Sequence, residues 1–306
     1  MAQDTQAAHD KPTVAILGPG GVGGLLAALL ARSGHRVICL ASETTADTLR
    51  TRGLRVRSGQ FGDFTATVEA DTELREPVAA CLITVKATSL DAALTRIPAH
   101  TIGDTLLVPF LNGVEHPALL RGHYHPSQVA PSTIRVESTR VTPGEIEHGS
   151  PFAQIDLAGD AVPRARLDSL ATALTNAGVT TQTVDDENAA LWTKMTFLAP
   201  IALLTTRYGL PLGEVRSRYR EELTALVTET AAVSEACGGP SDPEGALARY
   251  DTFPPGNKTS MQRDAEAGRP LELDAIGGAL LRAAARHGIE VPTVTRLVAD
   301  LTPATA

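Results

Sequence analysis

The chain has 306 residues, 43% hydrophobic and 20% charged, with 26 glycines and 20 prolines, a globular profile long enough for two modest domains that excludes collagen, disorder and coiled coil. The apolar run Leu25–Ala31 covers seven residues, far short of the roughly 20 that a membrane-spanning helix needs, so no membrane partner is expected. A net charge of −8 with dispersed basic residues argues against nucleic acid, whose phosphates call for clustered positive charge, and leaves a small molecule as the expected partner.

Residues 1–11 are polar and carry neither an apolar stretch nor a small-residue cleavage site, so they predict a loose tail rather than a secretion signal, with the cytoplasm as the expected address. Thr13–Leu17 is β-branched and aliphatic and ends in Gly18, the pattern of a buried parallel strand. Val22–Ser33, rich in Leu and Ala and closed by Gly34, predicts a helix, and Arg36–Leu40 a second strand. Strand, helix and strand within about thirty residues make one βαβ unit. The alternation continues through a helix over 46–52, a hairpin-like stretch over 54–69, a strand over 80–85, a helix over 89–99 and a strand over 105–111, which predicts an α/β class with a mainly parallel sheet. Cys39 and Cys81 fall inside strand-like runs and Cys237 stands far from both, so all three are expected to act as small hydrophobes without a disulfide framework. His35, His116 and His287 lack ligand spacing, and no metal site is expected.

Between residues 132 and 157 the pattern shifts to β-rich segments with turn residues, implying added antiparallel strands. A helix over 164–177 and a strand over 179–184 complete a Rossmann-like domain at 12–184. From Asp185 the strand signal fades, and Ala/Leu-rich stretches over 187–207, 216–237, 261–267 and 271–287 predict an all-α domain at 185–306 for substrate binding and dimerisation. The apolar faces of its last two helices could pair two copies of the chain. The proline-rich stretch 238–258 is expected to be a long loop and a candidate lid.

Gly18-Pro-Gly20-Gly21-Val22-Gly23 satisfies G-x-G-x-x-G directly after a predicted strand and at the start of a predicted helix, the context that a dinucleotide-binding turn requires. Gly18 allows the tight turn, Gly20 the approach of a pyrophosphate, and Gly23 close packing of helix on strand; the first-turn amides around Gly21 and Val22 supply an anion site. Selection between NADP(H) and NAD(H) falls on the end of the second strand, where Ser42, Glu43, Thr44 and Thr45 stand. Ser42 and the threonines could hold a phosphate with Arg50 or Arg52 approaching, whereas Glu43 could hold a ribose diol, so the phosphate preference stays open.

These residues, with Val85-Lys86-Ala87, Leu111-Asn112-Gly113, Ala190–Lys194, Lys258–Met261, Leu271–Asp274 and His287–Pro292, resemble the ketopantoate reductases (2-dehydropantoate 2-reductases) from the first strand nearly to the end. The resemblance implies an enzyme of pantothenate biosynthesis that reduces a 2-keto acid with NADPH, built from an N-terminal Rossmann domain and a helical C-terminal domain. It implies Lys194 as the catalytic lysine, Asn112 beside nicotinamide and substrate, Lys86 beside the cofactor, and Ser260 and Glu272 as substrate contacts. Only four of the 27 basic residues are lysine, and three of them occupy motif positions; a lysine, unlike an arginine, can give up its proton. Hydride addition to a ketone develops negative charge on oxygen, which a proton donor at Lys194 would answer, with Glu272 positioning the ammonium or a substrate hydroxyl.

Two departures from the family pattern bear on the substrate and the cofactor. Where the family has asparagines one and two turns after the lysine, this chain has Leu198 and Ala202, which on one helical face predict an apolar wall and a keto acid or related carbonyl compound more apolar than ketopantoate. Pro200 is expected to kink that helix. Ser42 stands where the family has an arginine for the 2′-phosphate. Two other classes stay open: a nicotinamide dehydrogenase of the β-hydroxyacid or opine type, and a non-catalytic dinucleotide-binding sensor.

Overall fold

The computed structural model describes residues 11–302. The expected tail lies outside the described residues except for Lys11, whose ammonium donates to the Ser33 carbonyl. The chain divides into two compact units: one runs to Leu111 and resumes over His116–Glu187, and the other comprises Asn112–Glu115 and the chain from Asn188 onward.

In the first unit, β1 (Val14–Leu17), α1 (Gly21–Arg32), β2 (Val37–Leu40) and α2 (Glu43–Arg52) lead into a hairpin of β3 (Leu54–Ser58) and β4 (Phe64–Ala66). Then come β5 (Glu69–Asp71), β6 (Ala80–Ile83), the short helix α3 (Leu90–Leu94), β7 (Leu106–Pro109) and α4 (His116–His123). The unit closes with β8 (Ser132–Arg135), β9 (Ser138–Thr142), β10 (Glu145–His148), β11 (Gln154–Leu157), α5 (Arg164–Asn176) and β12 (Thr180–Thr183). The main sheet is parallel, in the order β5-β2-β1-β6-β7. Both its faces are covered, as its continuous apolar strands require: Val14 and Ile16 of β1 point into one core, and Ala15 and Leu17 into another that includes Leu90 and Leu120. Cys39 and Cys81 are wholly buried within this sheet, and burial pushes each thiol up to about 12.

The hairpin does not join the main sheet. It forms a second sheet, β4-β3-β10-β9, while β12-β11-β8 forms a third. The second sheet covers α1 on the side away from the parallel strands, with Ile146 and Leu54 in the same core as Leu25–Leu30. Its inner face carries a buried polar group: His148 Nδ1 lies 2.8 Å from Ser58 Oγ and Nε2 lies 3.1 Å from Ser150 Oγ, with the ring stacked on Phe61 at 5.2 Å.

The second unit is helical: α6 (Glu187–Tyr208), α7 (Leu212–Arg218), α8 (Arg220–Ala236), α9 (Pro243–Thr252), α10 (Ser260–Glu266), α11 (Ala279–His287) and α12 (Pro292–Leu301). A π-helical turn, Asp274–Gly278, leads into α11. Helix α6 is long and apolar enough to cross a membrane by length and composition, which the count of unbroken apolar runs did not register, and 67% of its apolar window is buried inside the protein. It is the central helix of the unit's core, contributing Trp192, Met195, Leu203 and Leu204. Pro200 removes one rung of its ladder, and in that turn the Tyr250 hydroxyl donates to the Phe197 carbonyl at 2.5 Å.

Three expectations change here. The stretch 238–258 is not a loop: Asp242 caps α9 by accepting the Gly245 N–H at 2.8 Å, Pro243 takes the first helical turn, and wholly buried Tyr250 anchors the helix in the core. A lid there has no structural basis. The helix expected over 216–237 breaks at Tyr219 into α7 and α8, where Arg216 donates to the carbonyls of Tyr250, Asp251 and Phe253. Helix α12 was not foreseen; Pro292 opens it, and Glu229 accepts its Thr293 and Val294 amides at 2.9 Å each.

Burial holds the His148 pKa below the ordinary histidine value. The neutral ring therefore contributes stability that is complete above the unfolded value of about 6.5 and is lost as pH falls through it towards the lower folded value. The urea midpoint should drop between about pH 8 and about pH 5, and the drop should be shallower in His148→Gln; equal slopes in the two proteins would refute the assignment.

Candidate functional site

The main sheet starts at its centre with β1, extends outward through β2 and β5, and then crosses to β6 and β7 on the other side. This reversal between β1 and β6 is a topological switch point, where open α/β sheets bind ligands beyond the C-terminal strand ends. Two predicted groups meet there. Gly18, after β1, has φ +85°, and a Cβ on it would lie 2.4 Å from Val85 Cγ1, the residue before Lys86. Lys86 itself is exposed and precedes a short 3-10 turn, Ala87–Ser89.

The four glycines of the loop differ in what excludes a side chain. At Gly23 a Cβ would lie 2.2 Å from Thr84 Oγ1 and 2.5 Å from the Gly18 carbonyl, and at Gly21 2.1 Å from the Ser138 carbonyl of β9. These two, like Gly18, are glycines because the protein packs against them. Gly20 meets nothing closer than the Gly18 carbonyl at 3.9 Å; packing within the chain does not require a glycine there. The first hydrogen bond of α1 runs from the Gly24 amide to the Gly20 carbonyl at 2.8 Å, so the amides of Gly21, Val22 and Gly23 point out of the helix start. Open space at Gly20 in front of three outward amides fits a dinucleotide pyrophosphate. Thr84, which the sequence did not single out, donates to the carbonyls of Gly18 at 2.8 Å and Leu17 at 3.1 Å and so fixes the loop. Its place immediately before Val85-Lys86 was the available signal.

At the end of β2, Ser42 is exposed and precedes α2, with its hydroxyl 3.2 Å from Thr45 Oγ1. Arg50 does not wait for a phosphate: its guanidinium donates to Glu43 at 3.0 Å, Asp47 at 2.6 Å and the Ala70 carbonyl at 2.8 Å.

In the helical unit, Asn112 and Glu272, 160 positions apart, come together: Asn112 Nδ2 donates to Glu272 Oε2 at 3.0 Å. Glu272 is only 5% exposed, and a buried carboxylate needs such a donor. The segment Asn112–Glu115 reaches it by docking as a whole. Gly113 (φ +91°) brings its Cα so close to the π-turn that a Cβ would lie 2.4 Å from the Ala275 carbonyl. Val114 packs on the helical core, and Arg282 joins Glu115 and Asp274 at 2.7 Å each. No local pattern in the sequence announces the Glu115–Arg282–Asp274 bridge.

Lys194 lies half-buried on α6 and Leu198, one turn on, is partly buried against the core. Ala202 is 1% exposed and belongs to the core itself, so the apolar wall expected beside the lysine is reduced to Leu198. Trp192, also core, packs within its own unit, where a Cβ on Gly239 would lie 2.5 Å from it. Thr259, not Ser260, caps α10 by accepting the Gln262 amide at 3.2 Å, which leaves the exposed Ser260 hydroxyl outside the capping bond. Lys258 pairs with Glu266 at 2.7 Å on the surface.

Residues 14–158 match the family model described as ketopantoate reductase PanE/ApbA, and residues 186–303 match its C-terminal counterpart. The chain belongs to the ketopantoate reductase family. A 2-dehydropantoate 2-reductase from Caulobacter vibrioides is 29% identical over 301 residues, covering 95% of this chain and 99% of that protein. The crystal structure of 2-dehydropantoate 2-reductase from Geobacter metallireducens superimposes with a TM-score of 0.85 at 27% identity, covering 94% and 98% of the two chains. The fold is shared with D-mandelate dehydrogenase in its ternary structure with NADH and anilino(oxo)acetate, at a TM-score of 0.87, 20% identity and coverage of 94% and 96%. As a family member this chain is an NAD(P)-dependent oxidoreductase.

The contrast between Gly20 and Gly23 can be measured. Gly20→Ala should leave the melting temperature unchanged while weakening dinucleotide binding about tenfold or more in calorimetric titration. Gly23→Ala should cost about 1–3 kcal/mol of stability by overpacking against Thr84. Equal melting temperatures for the two variants would contradict the steric distinction.

Proposed function

We propose that the protein reduces a 2-keto acid, 2-dehydropantoate or a more apolar relative, to the corresponding 2-hydroxy acid. The observation that carries this reading is the Asn112–Glu272 bond, which joins two predicted substrate residues from distant parts of the chain. A reduced nicotinamide, when bound, supplies the hydride. Gly20 and the outward amides of Gly21, Val22 and Gly23 hold the pyrophosphate, with Lys86 adding positive charge beside it.

On the helical unit, the Lys194 ammonium donates its proton to the oxygen that becomes the hydroxyl, stabilising the charge that develops there. Asn112, held by Glu272, presents its remaining amide hydrogen and its carbonyl oxygen to the substrate without adding charge. Glu272 keeps Asn112 oriented and accepts from a substrate hydroxyl, while Ser260 donates to the substrate carboxylate. Leu198, where a polar residue would favour a hydroxylated substrate, favours an apolar substituent. That D-mandelate dehydrogenase shares the fold indicates that the architecture itself tolerates substrates other than ketopantoate.

Lys194→Ala should lower kcat by about 10²–10⁴-fold and leave the dinucleotide dissociation constant unchanged. Initial rates with ketopantoate and a panel of 2-keto acids, followed by nicotinamide absorbance, check both the reaction and its substrate. Full activity of the variant, or loss of dinucleotide binding with it, would remove Lys194 from the proposed role.

A further inference from the structure

We propose that the dinucleotide site selects an unphosphorylated adenosine ribose, so that the protein works with NAD(H) in preference to NADP(H), and that Glu43 with its partner Arg50 decides this. The inference rests on the dinucleotide reading of the glycine loop and adds the phosphate state to it. In this fold the adenosine ribose is read at the end of the second strand, by an acid about 20 residues beyond the glycine turn for a free 2′-hydroxyl or by a nearby arginine for a 2′-phosphate. Here β2 ends at Leu40, and the Ala41 carbonyl is fixed by Arg96 at 2.7 Å. Glu43, the first residue of α2, stands 20 positions after Gly23.

A 2′-phosphate brings nearly two negative charges at neutral pH and needs an uncommitted cation. Arg50 reaches back along α2, but it is held on three sides by Glu43, Asp47 and the Ala70 carbonyl. Arg75 is held by Asp71 at 2.8 Å and feels Glu73 and Glu43 as well. Arg52 sits in the last turn of α2, about 13 Å along the axis from Glu43. Arg96 donates to the carbonyls of Ala41 at 2.7 Å and Thr72 at 2.8 Å. Four carboxylates (Glu43, Asp47, Asp71, Glu73) thus stand with three guanidiniums (Arg50, Arg75, Arg96), an excess of one negative charge. The positive end of α2 is itself already answered by Glu43 in its first turn. Drawing Arg50 onto a phosphate would leave Glu43 and Asp47 facing that phosphate unpaired. A ribose diol meets the opposite situation, because a carboxylate accepts from its hydroxyls.

Isothermal titration of the full-length protein with NADH and with NADPH tests this without turnover. NADH should bind at least about tenfold tighter. In Glu43→Gln/Asp47→Asn, which releases Arg50, the NADH-to-NADPH affinity ratio should fall about tenfold or more, with NADPH tighter than in the parent. Both residues are exposed on a surface helix, and circular dichroism verifies that the variant is folded. NADPH binding as tightly as NADH in the parent, or a ratio that the double variant does not move, would overturn the proposal. Binding of neither dinucleotide by the parent would overturn the dinucleotide reading together with it.

Discussion

The first unit depends on how deeply α1 is sunk between two sheets. Gly23 lets Thr84 and Ile16 of the parallel-sheet side come into the space that a Cβ would occupy, and Gly21 and Gly24 do the same for Ser138 and Ile146 of the second sheet on the other side. The close approach sets the tilt of the helix start, and hence the direction in which its unsatisfied amides point. It also binds the second sheet to the first: without Gly21 and Gly24, β9 and β10 would have to stand off, and the core shared by Leu25–Leu30, Leu54 and Ile146 would open. The outward direction of the first-turn amides and the stability of the unit are therefore two results of the same close packing, in which Gly20 alone among the loop glycines takes no part.

The helical unit solves a different problem, that of holding a buried carboxylate. Glu272 lies at the foot of a π-turn, a helical irregularity that widens the ladder and often marks functional sites. The chain supplies its donor from far away by bringing Asn112 in on a short segment that is fastened by a close backbone approach, an apolar residue and an ion pair. Individually the Arg282 bridges are half-exposed and weak; their effect is geometric, since they limit the positions open to Asn112.

Much of the fold could be read in the sequence because parallel strands buried on both faces are continuous apolar runs, and β1, β2, β6 and β7 all showed this. The glycine loop was legible for the same local reason. The hairpin of β3 and β4 was visible as a pair, but its membership in a separate sheet depends on β10, which pairs with β3 in parallel from 90 positions away. Helix α9 was hidden because prolines at both ends of the stretch gave it the composition of a loop, although Pro243 sits where a first helical turn tolerates proline. Asn112 and Glu272 were singled out through their motifs, and the structure brings them together, while the contacts of Thr84, Glu115 and Arg282 are tertiary and left no local mark. Ala202 shows the converse error: helical spacing gives the face of a residue, but not how far that face is buried. The scarcity of lysine also proved an imperfect guide, since Lys258 spends its charge on Glu266.

The segment Asn112–Glu115 makes the helical unit discontinuous in the chain, and this bears on how the protein can be made and divided. During synthesis Val114 emerges well before the helices whose core it completes, so that core cannot close until the later half of the chain is available. A fragment beginning at Asn188 would contain every long helix of the unit, yet it would lack Val114, the Asn112 donor for Glu272 and the Glu115 partner of Arg282. The boundary that looks natural on a linear map is therefore a poor place to cut. The losses are a donor to a buried carboxylate, an ion-pair partner and an apolar contact, all supplied by four residues that belong to no helix.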